Sequence, residues 1–394
     1  MAGQHDDDHF ERVRRRRRIA LEYGLVFVPV GDDGQETVVR SGVLLLDDLA
    51  VEVLRRPLRR LGAELVPVCD GLTRALFDTG RDPAGTAREL DELAGPGRVT
   101  PEHMISLGFH ALWINDEPPA QAPDQGALPP PLEDGVRIGM VDTAVDHRHP
   151  WLKSVRRIGP ASLSRPINTP EAGHGTFVAG VLRQRLPEAR IVAASPPLLG
   201  NRKGSTGFAS EVDVAMALHA VLTYECADDP VDIVNLSLGA ASTHTGMLAV
   251  DTMVRQAHAD RRGRPFALVA SAGNADSRIP FLPAAEPYAV GVGALHTDDP
   301  PVPAGFSNRG AWLSASAEGV DIESSFVAGL KIGGLSFGPY ARWSGTSFAA
   351  PTVTAAIAAA ALDAGVSAPA GSQLVLTNPA HVRLPDYGVV IPTP

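Results

Sequence analysis

Short apolar runs recur through the last two thirds of the chain and alternate with longer amphipathic stretches. The runs are "GVRIGMVD", "RIVAAS", "VDIVNLSLG", "PFALVASAG" and "YAVGVGAL". Continuous runs of this kind are typical of strands buried on both faces of a parallel sheet. Residues 175–186, 211–224 and 245–261 lie between them and have a helical pattern. The alternation predicts an α/β fold, a doubly wound and mostly parallel sheet with helices on both faces.

The first part of the chain has a different order of elements. The strand-like runs "GLVFVPV" and "TVVRSGVLLL" precede a helical stretch rich in Leu and Arg, residues 47–61. Two further strands, "AELVPV" and "LTRALF", are followed by a short helix at 86–93 and a last strand, "RVTPEHMISL". The order β-α-β-β-α-β is that of a split-βαβ unit, so we expect a smaller α+β domain here.

A proline-rich segment separates these two parts. Residues 116–133, "DEPPAQAPDQGALPPPLE", contain six prolines and no periodic apolar pattern. Such a composition predicts an extended, semi-rigid linker. We therefore expect an N-terminal domain at residues 1–115, a linker at 116–133 and a larger domain at 134–394.

The charge balance and the cysteine content limit the classes of partner and cofactor. The chain has 45 acidic and 35 basic residues and a net charge of −10, which disfavours binding to nucleic-acid phosphates. It has two cysteines, Cys69 and Cys226, too few for a disulfide framework or a cysteine metal cluster. We expect no cofactor and no nucleic-acid partner. We also expect no membrane partner, because no apolar run approaches the ~18 residues of a membrane span.

The N-terminus resembles a signal peptide only in outline. Five arginines, residues 14–18, precede "IALEYGLVFVPV". Glu22 and Pro29 interrupt the apolar stretch, and no small-residue cleavage site follows. We therefore expect a solvated basic arm that leads into a strand, and a cytoplasmic protein.

Three polar residues stand where functional groups collect in an open α/β sheet, beyond the carboxyl ends of strands or at helix starts. Asp142 ends "GVRIGMVD", His174 lies in "GHGTFVAGVL" and Ser347 lies in "GTSFAAP". Each alone has an ordinary structural explanation as a cap or turn residue. Pro351 is expected within the first turn of the helix that follows Ser347.

The three residues together supply the chemistry of nucleophilic catalysis. A serine hydroxyl needs a nearby base, and histidine suits that role near neutral pH. An aspartate then fixes the imidazole tautomer and stabilises the imidazolium. Asn274, in "VASAGNAD", and the backbone N–H of Ser347 would stabilise the oxyanion.

These motifs resemble those of the subtilisin-like serine peptidases, the subtilase family. The matching stretches are "VDTAVDHRHPWL", "GHGTFVAG", "DIVNLSLG", "ASAGNAD", "FLPAAEPYAVGVGAL", "GFSNRGAW" and "GTSFAAP". They follow the family's order and cover residues 134–365. The resemblance implies a subtilisin-like fold and a peptide hydrolase with Asp142, His174 and Ser347 as its triad.

The resemblance also implies the walls of a substrate cleft. One wall would be Ser237, Leu238 and Gly239, which pair with an extended substrate. The opposing edge would be Gly204, Ser205, Thr206 and Gly207. Ala272 and Gly273 would line the primary specificity pocket.

Three positions depart from the family pattern. Ala144 stands where the family commonly has Gly, and Phe177 where it commonly has His. Trp151 follows "HP", where many members have a calcium-binding Asp, and "VLRQRLPEARIVAAS" leaves no room for their second calcium loop. We expect no calcium at that site.

The N-terminal domain resembles the family's propeptides in strand order and placement, while residues 1–36 are additional. We expect it to bind the catalytic cleft and the chain to be cut between about residues 116 and 135. The rival interpretation is a permanently attached regulatory or recognition domain.

The sequence therefore favours a serine endopeptidase that acts on peptides or proteins. Two alternatives stay open: an idle subtilase fold that only binds peptides or partners, and a peptidase that cuts one cognate partner.

Overall fold

The computed structural model describes residues 14, 17–31, 35–107, 118–159, 171–201, 204–205, 207–225, 228–242, 246–332 and 334–393. Its helices are α1 (Asp48–Val53), α2 (Arg55–Arg60), α3 (Pro83–Ala94), α4 (Glu171–Arg185), α5 (Glu211–Thr223), α6 (Leu248–Asp260), α7 (Thr346–Ala364) and α8 (Ala368–Leu376). Residues 17–22 are also helical.

The strands fall into a first group before the proline-rich segment and a second group after it begins. The first group is β1 (Leu25–Val30), β2 (Gln35–Leu46), β3 (Glu64–Cys69), β4 (Leu72–Leu76) and β5 (Val99–Leu107). The second group is β6 (Ala120–Gln121), β7 (Arg137–Val141), β8 (Arg156–Ile158), β9 (Arg190–Ala194), β10 (Gly200–Asn201), β11 (Gly204–Ser205), β12 (Phe208–Ser210), β13 (Ile233–Leu236), β14 (Leu238–Ala241), β15 (Ala267–Ser271), β16 (Phe281–Leu282), β17 (Ala289–Leu295), β18 (Ala315–Glu318), β19 (Ile322–Ser325), β20 (Lys331–Ile332), β21 (Leu335–Ser336), β22 (Tyr340–Trp343), β23 (Arg383–Leu384) and β24 (Gly388–Val390).

A parallel sheet forms the centre of the larger domain. Its strand order is β23-β24-β18-β17-β15-β13-β7-β9-β8. Adjacent strands are parallel, except that β23 and β24 pair antiparallel. Successive side chains of β7 enter different cores: Met140 packs with α4 and α7, and Val141 packs with α5 and α6. Since both faces are covered by helices, the predicted doubly wound α/β sheet is confirmed.

The N-terminal strands form a second, antiparallel sheet. Its order β5-β2-β4-β3, with helices packed on one face, is that of a split-βαβ unit. The helix expected at residues 47–61 is two short helices, because the backbone at Leu54 leaves helical geometry. Pro57, the third residue of the second helix, has no N–H with which to bond back to the first helix. β1 adds to the edge of β2.

Strand β5 joins the two parts of the molecule. Its last four residues pair antiparallel with β12 on one side and with β14 on the other. In this register Ala209 lies opposite Ile105, and Leu238 lies opposite Leu107. The N-terminal sheet therefore continues into two edge strands of the larger domain.

The described part of the proline-rich segment lies along the larger domain. β6 pairs with β22, and the Trp151 indole N–H donates to the Gly126 carbonyl at 2.8 Å. Arg183 donates to the Pro129 carbonyl. Residues 118–133 are therefore held at several points.

Helix α7 runs through the middle of this domain. By length and composition alone it is apolar enough to cross a membrane, which corrects our expectation that no stretch of the chain approaches that limit. It is 67% buried by the protein itself, as expected of a core helix.

Candidate active site

The buried pair Asp142 and His174 lies at the carboxyl edge of the parallel sheet. Asp142 directly follows β7, and His174 lies in the first turn of α4. The Asp142 Oδ1 atom is 2.8 Å from His174 Nδ1 and also accepts the Thr143 N–H at 2.6 Å. Both side chains are about 1–2% exposed. The imidazole is therefore fixed by a carboxylate on its Nδ1 side, which leaves Nε2 as the nitrogen that can face a nucleophile.

Glycine and aromatic residues set the position of this pair. A Cβ on Gly175 would collide with the Thr143 carbonyl, so the glycine lets α4 approach the end of β7 closely. The His174 ring packs against Trp343 and Phe348, with centroids 5.7 and 5.6 Å away. Phe177, at one of the departures noted above, belongs to the same cluster: its ring centroid is 4.4 Å from that of Phe348, and the two rings are tilted by 49°.

Ser347 is the second residue of α7 and is half-buried. Its hydroxyl makes a long hydrogen bond of 3.5 Å to the Ser237 carbonyl rather than one to His174. Contacts between a nucleophile and its base are often loose without substrate, and a side-chain rotation redirects the hydroxyl.

Pro351 was expected within the first turn of α7, but it is the sixth residue of that helix. Because proline lacks an N–H, the Ser347 carbonyl has no helical donor four residues on. The Ser237 hydroxyl donates to that carbonyl at 2.7 Å instead. Asn235 donates to the same hydroxyl at 2.9 Å. The cleft wall and the helix start are thereby joined directly.

Asn274 follows β15 and is 9% exposed. Its Oδ1 accepts the backbone N–H of Thr346 at 3.0 Å and the Thr346 hydroxyl at 2.9 Å. These bonds orient the amide, so that Nδ2 lies beside Gly345 at the start of α7. The Asn274 side chain and the Ser347 N–H therefore belong to one small region at the helix N-terminus.

Comparison with known proteins accords with this geometry. Residues 133–378 match the sequence profile of the subtilase family. The chain belongs to the subtilase family. A thermophilic serine proteinase from Bacillus sp. (strain AK1) is 31% identical over 224 residues, 56% of this chain and 50% of that protein. Subtilisin Savinase from Lederbergia lenta is 30% identical over 229 residues, 57% of this chain and 75% of that protein. The aligned region spans about half the length of the first relatives matched.

Solved structures show the same fold at low sequence identity. Fervidolysin from Fervidobacterium pennivorans, a keratinolytic enzyme related to subtilisin, has a TM-score of 0.59 and 19% identity, over 90% of this chain and 60% of its own. A cold adapted subtilisin-like serine proteinase has a TM-score of 0.51 and 21% identity, over 71% of this chain and 96% of its own. The subtilisin-like fold is therefore confirmed.

Strand β5 has a neighbour on each side where it meets the larger domain. One neighbour is β14, where two of the predicted cleft residues, Leu238 and Gly239, pair with Leu107 and Ser106. Ser237 directly precedes this strand. The other neighbour is β12 together with Gly207, whose carbonyl accepts the Leu107 N–H at 3.1 Å.

Two more of the predicted cleft residues lie in a short hairpin. Gly204 and Ser205 pair with Asn201 and Gly200. Thr206 lies outside the described residues.

The loop that carries Ala272 and Gly273 is held by a residue that sequence reasoning left without a role. The Asn308 amide donates to the Ala272 carbonyl at 2.8 Å, and its oxygen accepts the N–H groups of Ala275 and Ser277. Asn308 lies in "GFSNRGAW", which was matched as a family motif. Only that motif could have drawn attention to Asn308 in the sequence, because the residues that its side chain bonds lie 31–36 positions earlier.

Trp151 stands where many family members have a calcium-binding Asp, and its side chain packs against the protein itself. Trp151 is 3% exposed, and its indole donates to Gly126 in the proline-rich segment. Within the described ranges, no group of three or more His, Cys, Asp and Glu side chains is placed to hold a metal ion.

Proposed function

We propose that this subtilase is a serine endopeptidase that cleaves peptide bonds through an acyl-enzyme on Ser347. The observation that carries the proposal is the buried 2.8 Å contact between Asp142 and His174, at the same sheet edge as the start of α7. Isolated cap and turn residues have no reason to form such a fixed pair. The alternative of an idle, peptide-binding fold has no comparable support, because no catalytic group is replaced.

The proposed reaction has two steps, acylation of Ser347 and hydrolysis of the acyl-enzyme, and His174 transfers protons in both. His174 Nε2 takes the proton of the Ser347 hydroxyl as Oγ attacks the peptide carbonyl. Asp142 stabilises the resulting imidazolium through Nδ1. The imidazolium then protonates the leaving amine, and a water molecule activated by the same nitrogen hydrolyses the ester.

Two N–H donors would stabilise the tetrahedral intermediate. They are the Asn274 Nδ2 amide, oriented by Thr346, and the Ser347 backbone N–H at the start of α7. Donors fixed before the reaction stabilise the oxyanion without reorganisation.

Replacement of single groups tests this mechanism. Ser347→Ala and His174→Ala should abolish peptide hydrolysis and labelling by a fluorophosphonate probe. Asn274→Ala should lower kcat by about 10²–10³-fold in a protein that still folds, the range known for one such donor in a subtilisin. Undiminished hydrolysis by Ser347→Ala would refute the proposal.

We further propose that the N-terminal domain is a propeptide-like inhibitor whose strand β5 occupies the acyl side of the cleft. The support is its register: an extended strand that pairs with both cleft edges makes the backbone contacts of a peptide substrate. The proposed cut must then follow Leu107. Because residues 118–133 make many contacts with the larger domain, we favour a cut within residues 108–117 over the range of 116–135 expected from the sequence. A cytoplasmic location would suit an enzyme restrained in this way or limited to one cognate partner.

A further inference from the structure

The side chain of Phe281 lies between Gly239 of the expected cleft wall and Gly273 of the expected primary specificity pocket. Phe281 is in β16, which pairs with β14 so that Ala241 lies opposite it. A Cβ on Gly239 would collide with Phe281 Cε1, and a Cβ on Gly273 would lie 3.0 Å from Cδ2. The ring therefore contacts one glycine on each wall.

Glycines that face each other across a cleft leave room for one flat group. In this chain that room holds a ring of the protein itself, and Phe281 is 4% exposed. The Asn308 Nδ2 atom also lies beside Gly273, 2.7 Å from where its Cβ would be, so the loop has little freedom to move away. A large substrate side chain would have to displace the ring.

We infer that Phe281 fills the depth of the primary pocket and restricts cleavage to peptides with a small residue, Gly, Ala or Ser, before the scissile bond. The inference rests on the proposed peptidase function and names its substrate class. Overfilling a close-packed site is costly, and a difference of one methylene changes kcat/KM by roughly 10–200-fold.

The chain itself carries a small residue directly after strand β5. Leu107, the last residue of β5, pairs with Leu238 of the expected cleft wall. The next residue in the sequence is Gly108, which lies outside the described residues. Its lack of a side chain agrees with the small residue that Phe281 demands.

A purely structural role for Phe281 makes a different prediction. The ring also packs with Ala241 and with Val30 of the N-terminal domain. If packing were its only role, shortening the side chain would change stability and leave the substrate preference as it was. Substrate preference is therefore the decisive readout.

The test uses internally quenched peptides that contain Met-Ile-Ser-Leu, the sequence of residues 104–107, followed by Gly, Ala, Leu or Phe. The full chain is expressed, and its active sites are counted with a fluorophosphonate probe. Wild type should show a kcat/KM at least about 100-fold higher for the Gly and Ala peptides than for the Phe peptide. Phe281→Ala should raise the Phe-to-Gly ratio at least about tenfold, and Phe281→Leu, a milder change, should raise it in the same direction.

Phe266→Ala is the matched control, since Phe266 is 8% exposed at the start of β15 and stacks on His258, away from the cleft. This variant should keep the wild-type preference. A labelled wild type that prefers Phe or Leu would overturn the inference and leave the peptidase function intact, as would an unchanged ratio in both Phe281 variants. A wild type that neither labels nor cleaves would overturn both.

Discussion

Glu286, Asp251 and Glu211 form an acidic cluster whose charge depends on pH. Glu286 is half-buried, and burial, followed by the charge of Asp251, raises the pKa of its carboxyl to about 7. Glu211 contributes in the same direction, while the Met247 N–H opposes the shift. The Tyr288 hydroxyl, whose own pKa is raised by burial, donates to Asp251 rather than to Glu286. No hydrogen-bond partner for Glu286 Oε1 is found within the described chain.

The raised pKa makes Glu286 a source of pH-dependent stability. Because the folded-state pKa lies above the ordinary value of 4.5, the fold favours the protonated form. Its stabilising contribution is full below about pH 4.5 and is lost as the pH rises through 7. Glu286→Gln, made in the Ser347→Ala background to prevent proteolysis, should therefore melt higher than its parent at pH 8 and not at pH 4.5.

Calorimetry at the two pH values measures this difference. Glu89→Gln, which alters an exposed carboxylate of α3, should leave the melting temperature unchanged at both. Equal melting temperatures of Glu286→Gln and its parent at pH 8 would show that the Glu286 carboxyl titrates normally.

Sequence motifs named the proposed reacting groups but not the residues that hold them in place. Asp142, His174, Asn274 and Ser347 each lie in a local motif with a chemical purpose. Phe281 has no such motif, because its position between two glycines depends on the pairing of β16 with β14. The bonds from Thr346 to Asn274 likewise join residues 72 apart in sequence.

Regular elements were predictable where burial on both faces or a turn residue marks them. The apolar runs of β7, β9, β13 and β15 were recognised because parallel strands need no polar face. Short pairings such as β10–β11 were missed, since two-residue strands have no period to read. The break at Leu54 and the sixth-residue position of Pro351 depended on helix boundaries that one sequence leaves open.

The turn after β7 and helix α4 together hold the proline-rich segment. Arg183 is 2% exposed and donates to the carbonyls of Pro129, Ala189 and Trp151. Burial lowers the pKa of its guanidinium. Trp151 adds its indole bond to Gly126. We interpret these contacts as the protein's substitute for a metal at this place.

This interpretation predicts insensitivity to chelators. EDTA should leave the melting temperature of the Ser347→Ala protein unchanged, whereas a bound ion at 100 times its Kd would contribute about 2.7 kcal/mol. Arg183→Met should lower the melting temperature by several degrees, because unsatisfied buried carbonyls cost about 1–3 kcal/mol. Arg157→Met, at an exposed site, should have no effect. A drop of several degrees with EDTA would contradict the interpretation.

The N-terminal part and the larger part of the molecule share a sheet through β5, and they also make buried side-chain contacts. His103 of β5 and Glu211 of α5 are fully buried, 2.9 Å apart. Glu211 also accepts the Ala249 N–H at 2.8 Å in the first turn of α6, where the N-cap side chain supplies no bond. Ile105 and Leu107 pack in the same apolar core as α5 and α6. Under the proposed function, these contacts would keep the N-terminal domain bound until the connecting chain is cut.

Self-cleavage and inhibition therefore form the final prediction. Intact-mass measurement should find wild type cut between Leu107 and Pro118, with Gly108–Phe109 as the expected bond, and Ser347→Ala at full length. The released N-terminal fragment should inhibit the mature enzyme when added back. An Ile105→Asp fragment should inhibit at least about tenfold more weakly, because a carboxylate would enter an apolar core. A Leu93→Asp fragment, altered at a position that is 64% exposed, should inhibit normally. One uncut, active chain and no inhibition in trans would instead establish a permanently attached regulatory domain.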